Sequence, residues 1–310
     1  DGNRGDDLQL GGAGDDTIQW DPGDGNDTVD GGAGFDTMAF NGSNAGETIH
    51  LAASGSGHAL LTRDIASISM DIDNVERVAI RALGSIDNLT VDDLRSTEIR
   101  QVDVDFGGFD GQPDAAADSL TLFGQATGET INVTAAGGVV SVTGMAADVT
   151  VRGADTFDRL LIFAGGGADQ IDASTLTGQL GLTLVGLDGN DSVRGSHGDD
   201  QLTGDNGDDT IVGGDGSDVL AGGAGSDRFV FARSNTGRDF IVDFQAHDAS
   251  GKGDLIVLNG VSDHSFAEAL ANGHIVQAGA DVLVGDASGS IVTLANVSLS
   301  SLHASDFLFG

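Results

Sequence analysis

Five aspartates spaced nine residues apart, Asp191, Asp200, Asp209, Asp218 and Asp227, occupy one position of a nonapeptide that repeats without interruption from Gly186 to Val230. The copies read GLDGNDSVR, GSHGDDQLT, GDNGDDTIV, GGDGSDVLA and GGAGSDRFV, with Gly first and fourth, Asp sixth and an apolar residue eighth. This is a pattern for holding metal. An ionised Asp presents two acceptor oxygens, and a Gly-rich turn exposes its backbone carbonyls. Oxygen donors suit hard cations such as calcium, which takes about six to eight of them, so one turn cannot complete a site by itself. The alternative reading is a metal-free Gly/Asp turn repeat, which would leave in-phase carboxylates stacked without compensation.

The elements that carry these residues follow from the period. Nine matches neither a 3.6-residue helix nor a heptad, which excludes an amphipathic helix and predicts a solenoid with one turn and one short strand per repeat. The fold class is therefore all-β, a parallel β-roll or β-helix. Val193, Leu202, Ile211, Leu220 and Phe229, at the eighth positions, face inward, because a three-residue strand shows only its middle side chain to one face. Glycines at the first, second and fourth positions serve turns where a Cβ would be crowded or φ is positive.

A second array opens the chain with GGAGDDTIQ (11–19), PGDGNDTVD (22–30) and GGAGFDTMA (31–39), which place Asp16, Asp27 and Asp36 at the sixth position. Trp20 and Asp21 break the phase once, as a loop insertion would. Residues 2–10 are a worn copy with Asp7 in place but Gln9 where the buried residue belongs, and AGGGADQID (164–172) is an isolated copy carrying Asp169. Between the arrays run β-branched segments such as 130–144. Here GETIHL (46–51) returns as GETINV (128–133), an offset of 82 residues, and the same offset pairs Asp87 with Asp169. Under that alignment ALGSIDNLT (82–90) is a decayed nonapeptide without its turn glycine, so a full metal site is not expected there. Four segments result: a first array at 1–40, a degenerate β-solenoid with the duplication at 41–163, the main array at 164–231 and a C-terminal cap at 232–310.

Composition narrows the partners. With 49 acidic and 13 basic residues the formal charge is −36, which excludes nucleic acid and disfavours anionic membrane. That much surplus charge opposes compaction unless counter-ions bind. Cysteine is absent, leaving neither disulfides nor thiolate sites. No apolar run approaches membrane-spanning length, and the first residues are not a signal peptide. Opening at Asp1, partway into a repeat, the chain reads as a fragment or processed product.

The nonapeptide GGxGxDxUx resembles the RTX, or hemolysin-type calcium-binding, repeat. So do the Phe-rich stretch 229–261, with its FxF, GxDxIxDF-like and GDxIxL-like runs, and the final residues 292–310, which are similar to an uncleaved type I secretion signal. The resemblance implies a coil of two nonapeptides, about 18 residues, with calcium ions between stacked turns about 4.8 Å apart. It places Asp191, Asp209 and Asp227 on one side and Asp200 and Asp218 on the other. Backbone carbonyls near Gly186, Asp188, Gly195, His197, Gly204, Asn206, Gly213 and Asp215 complete the ligand set. Asp7, Asp16, Asp27, Asp36 and Asp169 extend it, while Asp239 and Asp243 close the last site from the cap or stand as exposed loop acids.

The function implied is a secreted calcium-binding protein of a Gram-negative-type bacterium that folds on reaching calcium outside the cell. It would serve as a structural, adhesive, surface-layer or matrix component at the cell surface, with polysaccharide or further copies of itself as partners. Two alternatives are the non-catalytic calcium-binding part of a secreted enzyme and a carbohydrate-binding module. The chain has no HExxH or GxSxG, and its seven histidines form no ligand spacing. Varied third positions, Asp188, His197, Asn206, Asp215 and Ala224, disfavour ice binding.

Overall fold

Short strands bury their apolar residues only by stacking on one another, and the computed structural model shows that stacking throughout residues 4–178, 180–286 and 289–310, the residues it describes. The first residues of the worn copy 2–10 lie outside them. The chain divides into two compact units, one of residues 1–125, 131–162 and 179–181, the other of 126–130, 163–178 and 182–310.

In the first unit Leu8–Ala13, Thr28–Ala33 and Ile68–Asp73 pair in parallel. A second sheet sets Thr17–Trp20, Thr37–Asn41, Arg77–Arg81, Gln101–Asp105 and Asp148–Arg152 in parallel. In the second unit Gln201–Asn206 pairs with Val219–Ala224, and Ser192–Arg194 with Thr210–Val212. The register Gln201↔Val219 advances by 18 residues per coil, as two nonapeptides require. In the N-terminal array the step is 20, because Trp20 and Asp21 lengthen the coil. Trp20 is no loop residue, contrary to the sequence expectation. It ends Thr17–Trp20, is wholly buried and stacks on Phe40 with ring centroids 4.4 Å apart. Its indole N–H donates to the carbonyl of Gly25 at 3.0 Å, so the one polar atom of a large buried ring is satisfied.

The stacking is not parallel everywhere. Thr48–Gly55, His58–Arg63 and Ile68–Asp73 form an antiparallel set, as do Thr130–Ala136, Val139–Thr143 and Asp148–Arg152. Gly137 and Gly138 join the latter hairpin with φ of +59° and +81°, the positive pair that a two-residue type I′ turn demands. The C-terminal end is closed by another antiparallel set, Ile275–Ala278, Asp281–Asp286 and Gly289–Leu294, and by helix Phe266–Asn272. Its last strand, Phe307–Phe309, lies parallel to Leu255–Asn259 and is itself a short edge of that sheet, as exposed edges are often kept.

The eighth-position residues Val193, Leu202, Ile211, Leu220 and Phe229 are all buried. Outside the array the strand contributes a second inward side chain two residues later, as with Met38 and Phe40, Val78 and Ile80, or Val102 and Val104. Within it that position is Gly195, Gly204, Gly213 or Gly222. Each coil of the array therefore has half the apolar complement of its neighbours. Leu220→Ala should destabilise the calcium-loaded protein by about 2–5 kcal/mol; a denaturant midpoint equal to that of the parent would contradict this core assignment.

Candidate metal centre

The first-position glycines make room for carboxylates. A Cβ added at Gly186, Gly204, Gly213 or Gly222 would collide with the carboxylate of Asp191, Asp209, Asp218 or Asp227, the sixth residue of the same nonapeptide. The carbonyl of the next coil converges on the same point. At Gly186 the added atom would also sit 2.9 Å from the carbonyl oxygen of Gly204, and at Gly195 it would meet Asp200 Oδ2 at 2.8 Å together with the carbonyl of Gly213. At Gly207 (φ +140°) the position a Cβ would take is filled by the carbonyl of Gly189 one coil away, so the fourth-position glycine is required for stacking.

One oxygen of each sixth-position carboxylate is spent on the backbone. The N–H of Asp191 donates to Asp209 Oδ1 (2.7 Å), that of Asp209 to Asp227 Oδ1 (2.9 Å) and that of Asp227 to Asp254 Oδ1 (3.0 Å). Above Asp191 the ladder continues through Asp169 to the N–H of Glu129. The second column runs Asp200, Asp218 and Asp239, each N–H donating to the next carboxylate at 3.0 Å. In the first unit Asp7 donates to Asp27, and Asp16 to Asp36, which donates in turn to Glu76.

The other oxygen is buried without a hydrogen-bond partner at Asp7, Asp16, Asp36, Asp169, Asp191, Asp209, Asp218 and Asp227, and at Asp200 it is Oδ1 that is left over. Buried carboxylate oxygens are costly unless paired. Here they recur along the arrays, and at Gly11, Gly31 and Gly186 the orphaned oxygen of Asp16, Asp36 or Asp191 shares the space beside the glycine with a carbonyl from another coil. Among the described residues no three His, Cys, Asp or Glu side chains group closely enough to hold a metal, so a cation at these rungs needs backbone oxygens as well. Orphaned carboxylate oxygen, convergent carbonyl and absent Cβ together fit a hard cation.

Other expected ligands are placed differently. Both oxygens of Asp243 accept backbone N–H groups, from Gly222 at 3.0 Å and Gly223 at 2.8 Å. Asp27 Oδ2 accepts from the side-chain amide of Gln9 at 2.9 Å, which explains a polar residue at that eighth position. The carbonyls of Asp188 and Asn206 accept N–H groups from Gly167 and Gly189. His197 is exposed, with Nδ1 3.3 Å from Asp215 Oδ2.

The structure adds acids that the sequence does not nominate as ligands, among them Asp87, whose decayed nonapeptide is not expected to hold a full metal site. Glu47, Asp87, Asp118 and Asp158 form a further column, each N–H donating to the next carboxylate at 2.8, 2.8 and 2.9 Å, and the second oxygens of Asp87 and Asp118 are buried and unpartnered. Asp254 and Asp158 end their columns with both oxygens satisfied, the second by the N–H of Gln245 and of Asp155. The signal was half of the motif. An acid two residues before a buried apolar one recurs at Glu47/Ile49, Asp87/Leu89, Asp118/Leu120, Asp158/Leu160 and Asp254/Ile256, with the fourth-position glycine replaced by Ala45, Ser85, Ala116, Thr156 and Lys252.

Burial is the first cause of the raised pKa values of these acids. It pushes Asp87, Asp118 and Asp227 up to about 7, and Asp158, Asp200 and Asp209 to about 6, against the lowering effect of the accepted hydrogen bonds. Asp169, Asp191 and Asp254 are raised for the same cause. In the Asp218–Asp239 pair both are raised, by burial first.

Four stretches, 1–19, 23–38, 183–211 and 203–241, match the RTX calcium-binding nonapeptide repeat. The chain thus carries copies of the RTX nonapeptide repeat, and RTX nonapeptide repeats bind calcium ions. No curated protein matches it. Among solved structures it is similar to the extracellular lipase LipA from Serratia marcescens at 17% identity and a TM-score of 0.28, covering 100% of this chain and 39% of that one.

A carboxylic acid whose folded pKa lies above its ordinary value stabilises the cation-free fold while protonated. That contribution is complete below about 4 and is lost as pH rises through 6 to 7. Metal-free protein should therefore gain strand signal in circular dichroism between pH 8 and pH 5, whereas calcium-saturated protein should not. A metal-free signal independent of pH over this range would contradict the buried-acid assignment.

Proposed function

We propose that this chain is a secreted calcium-binding protein whose fold is switched on by calcium outside the cell. In that state it acts without catalysis, as a structural or adhesive component of a cell surface or matrix. The observation that carries the proposal is the repeated orphaned oxygen of Asp191, Asp209, Asp218 and Asp227, each buried beside a first-position glycine. At neutral pH a buried column of like charges opposes folding, and a divalent cation at each rung reverses the sign of that interaction. Binding free energy then becomes folding free energy.

The proposed ligands are the carboxylates of Asp191, Asp200, Asp209, Asp218 and Asp227, with Asp169, Asp239, Asp7, Asp16 and Asp36 extending the columns, and the next-coil carbonyls of Gly204 and Gly213. A chain kept unfolded where calcium is scarce suits export by a type I system, and among the described residues no helix is long and apolar enough to cross a membrane. With a formal charge of −36 the folded surface favours partners presented through shared cations over anionic membranes. Polysaccharide and further copies of the chain fit that description.

Titrating calcium into metal-free protein at pH 7.5 should bring strand signal and compaction together, read by circular dichroism and small-angle scattering. A chain equally compact after complete chelation would overturn the proposal. Asp209→Ala should lower the number of ions bound, by equilibrium dialysis, and an unchanged number would remove Asp209 from the ligand set.

A further inference from the structure

One rung of the first unit carries its own positive charge. Residues 42–49, GSNAGETI, hold a first-position Gly42, a sixth-position acid, Glu47, and an eighth-position apolar residue, Ile49, but no family match covers them. Their geometry nevertheless repeats that of the array. A Cβ added at Gly42 would lie 2.7 Å from Glu47 Oε2 and 2.7 Å from the carbonyl oxygen of Arg81, the same meeting of carboxylate and next-coil carbonyl found at Gly186 and Gly195. Glu47 is 1% exposed, and its N–H joins the column through Asp87 Oδ1 at 2.8 Å.

The difference lies in Arg63. Strand His58–Arg63 alternates so that Ala59, Leu61 and Arg63 are buried, and the third of these inward positions is cationic where the pattern calls for an apolar residue. Its Nη2 donates to Glu47 Oε1 and lies 3.1 Å from Ser43 Oγ, while Cζ stands 5.5 Å from the centroid of the Trp20 ring. A guanidinium 4% exposed beside a carboxylate and over an indole face is strongly held. The second hairpin has Thr143, Gly144 and Met145 at the comparable point, with no basic side chain.

We propose that Arg63 is an internal cation that takes the place of a bound metal ion at the Glu47 rung, making this coil independent of calcium. Glu47 Oε2 is buried without a hydrogen-bond partner, and the guanidinium on Oε1 opposes a second positive ion beside it, since like charges in a buried site repel. Removing the guanidinium but leaving the carboxylate and carbonyls exposes a latent calcium rung. The idea rests on the reading that calcium fills the nonapeptide rungs.

The test counts ions by equilibrium dialysis with calcium alone, in parent protein, in Arg63→Gln and in the double variant Glu47→Gln/Arg63→Met, which removes both charges together. Arg63→Gln should bind one ion more than the parent, and the double variant the same number as the parent. The inference is overturned if folded Arg63→Gln gains no ion, or if the double variant binds fewer ions than the parent, since a metal would then already sit at Glu47. Should Arg63→Gln not fold, the double variant decides alone. A parent protein that binds no calcium at all would instead sink the calcium reading itself, a separate failure.

Discussion

The structure depends on a carboxylate divided between two tasks. One oxygen each of Asp191, Asp209, Asp218 and Asp227 receives the backbone N–H of the neighbouring coil, as Asp209 does from Asp191 at 2.7 Å, and so fixes the stacking distance. The other is buried with no hydrogen-bond partner. The first task forces the second into the interior, because the turn that aims Oδ1 along the stack tucks Oδ2 over the first-position glycine. The repeat supplies no hydrogen-bonding side chain to that oxygen, and a cation would resolve the conflict.

Two kinds of coil follow from this. Where the chain spends an inward position on glycine, as at Gly204 and Gly213, the coil loses an apolar side chain and gains a place for an ion. Where that position is Phe40, Ile80 or Val104, all buried, hydrophobic contact does the same work, at about 25 cal/mol per Å² buried. Trp20 shows the trade within one array, adding two residues to the coil and a large ring to its core. Arg63 at Glu47 is a third solution, in which charge is balanced from inside the chain.

Much of this was legible in the residues. The period of nine pointed to a solenoid and to the inward set from Val193 to Phe229, and the resemblance of the nonapeptide implied the 18-residue step of the long array and the separation of Asp191, Asp209 and Asp227 from Asp200 and Asp218. The antiparallel hairpins were not legible, since alternation in 130–144 is the same for parallel and antiparallel neighbours and only the Gly137–Gly138 pair hinted at a tight reversal. Of the column Glu47, Asp87, Asp118 and Asp158 only Asp87 drew notice, as part of a decayed copy, because the fourth-position glycine is lost at every member and little beyond the acid-to-apolar spacing survives. The saturation of Asp243 by two backbone N–H groups depends on where the chain turns after the array, which local pattern does not encode.

The central claim is that the orphaned carboxylate oxygens are cation ligands. Anomalous diffraction from crystals grown in calcium tests it most directly. The account predicts difference peaks beside the second oxygens of Asp191, Asp200, Asp209, Asp218 and Asp227 and no peak at Glu47. A fully ordered solenoid with water or nothing beside those oxygens would contradict it.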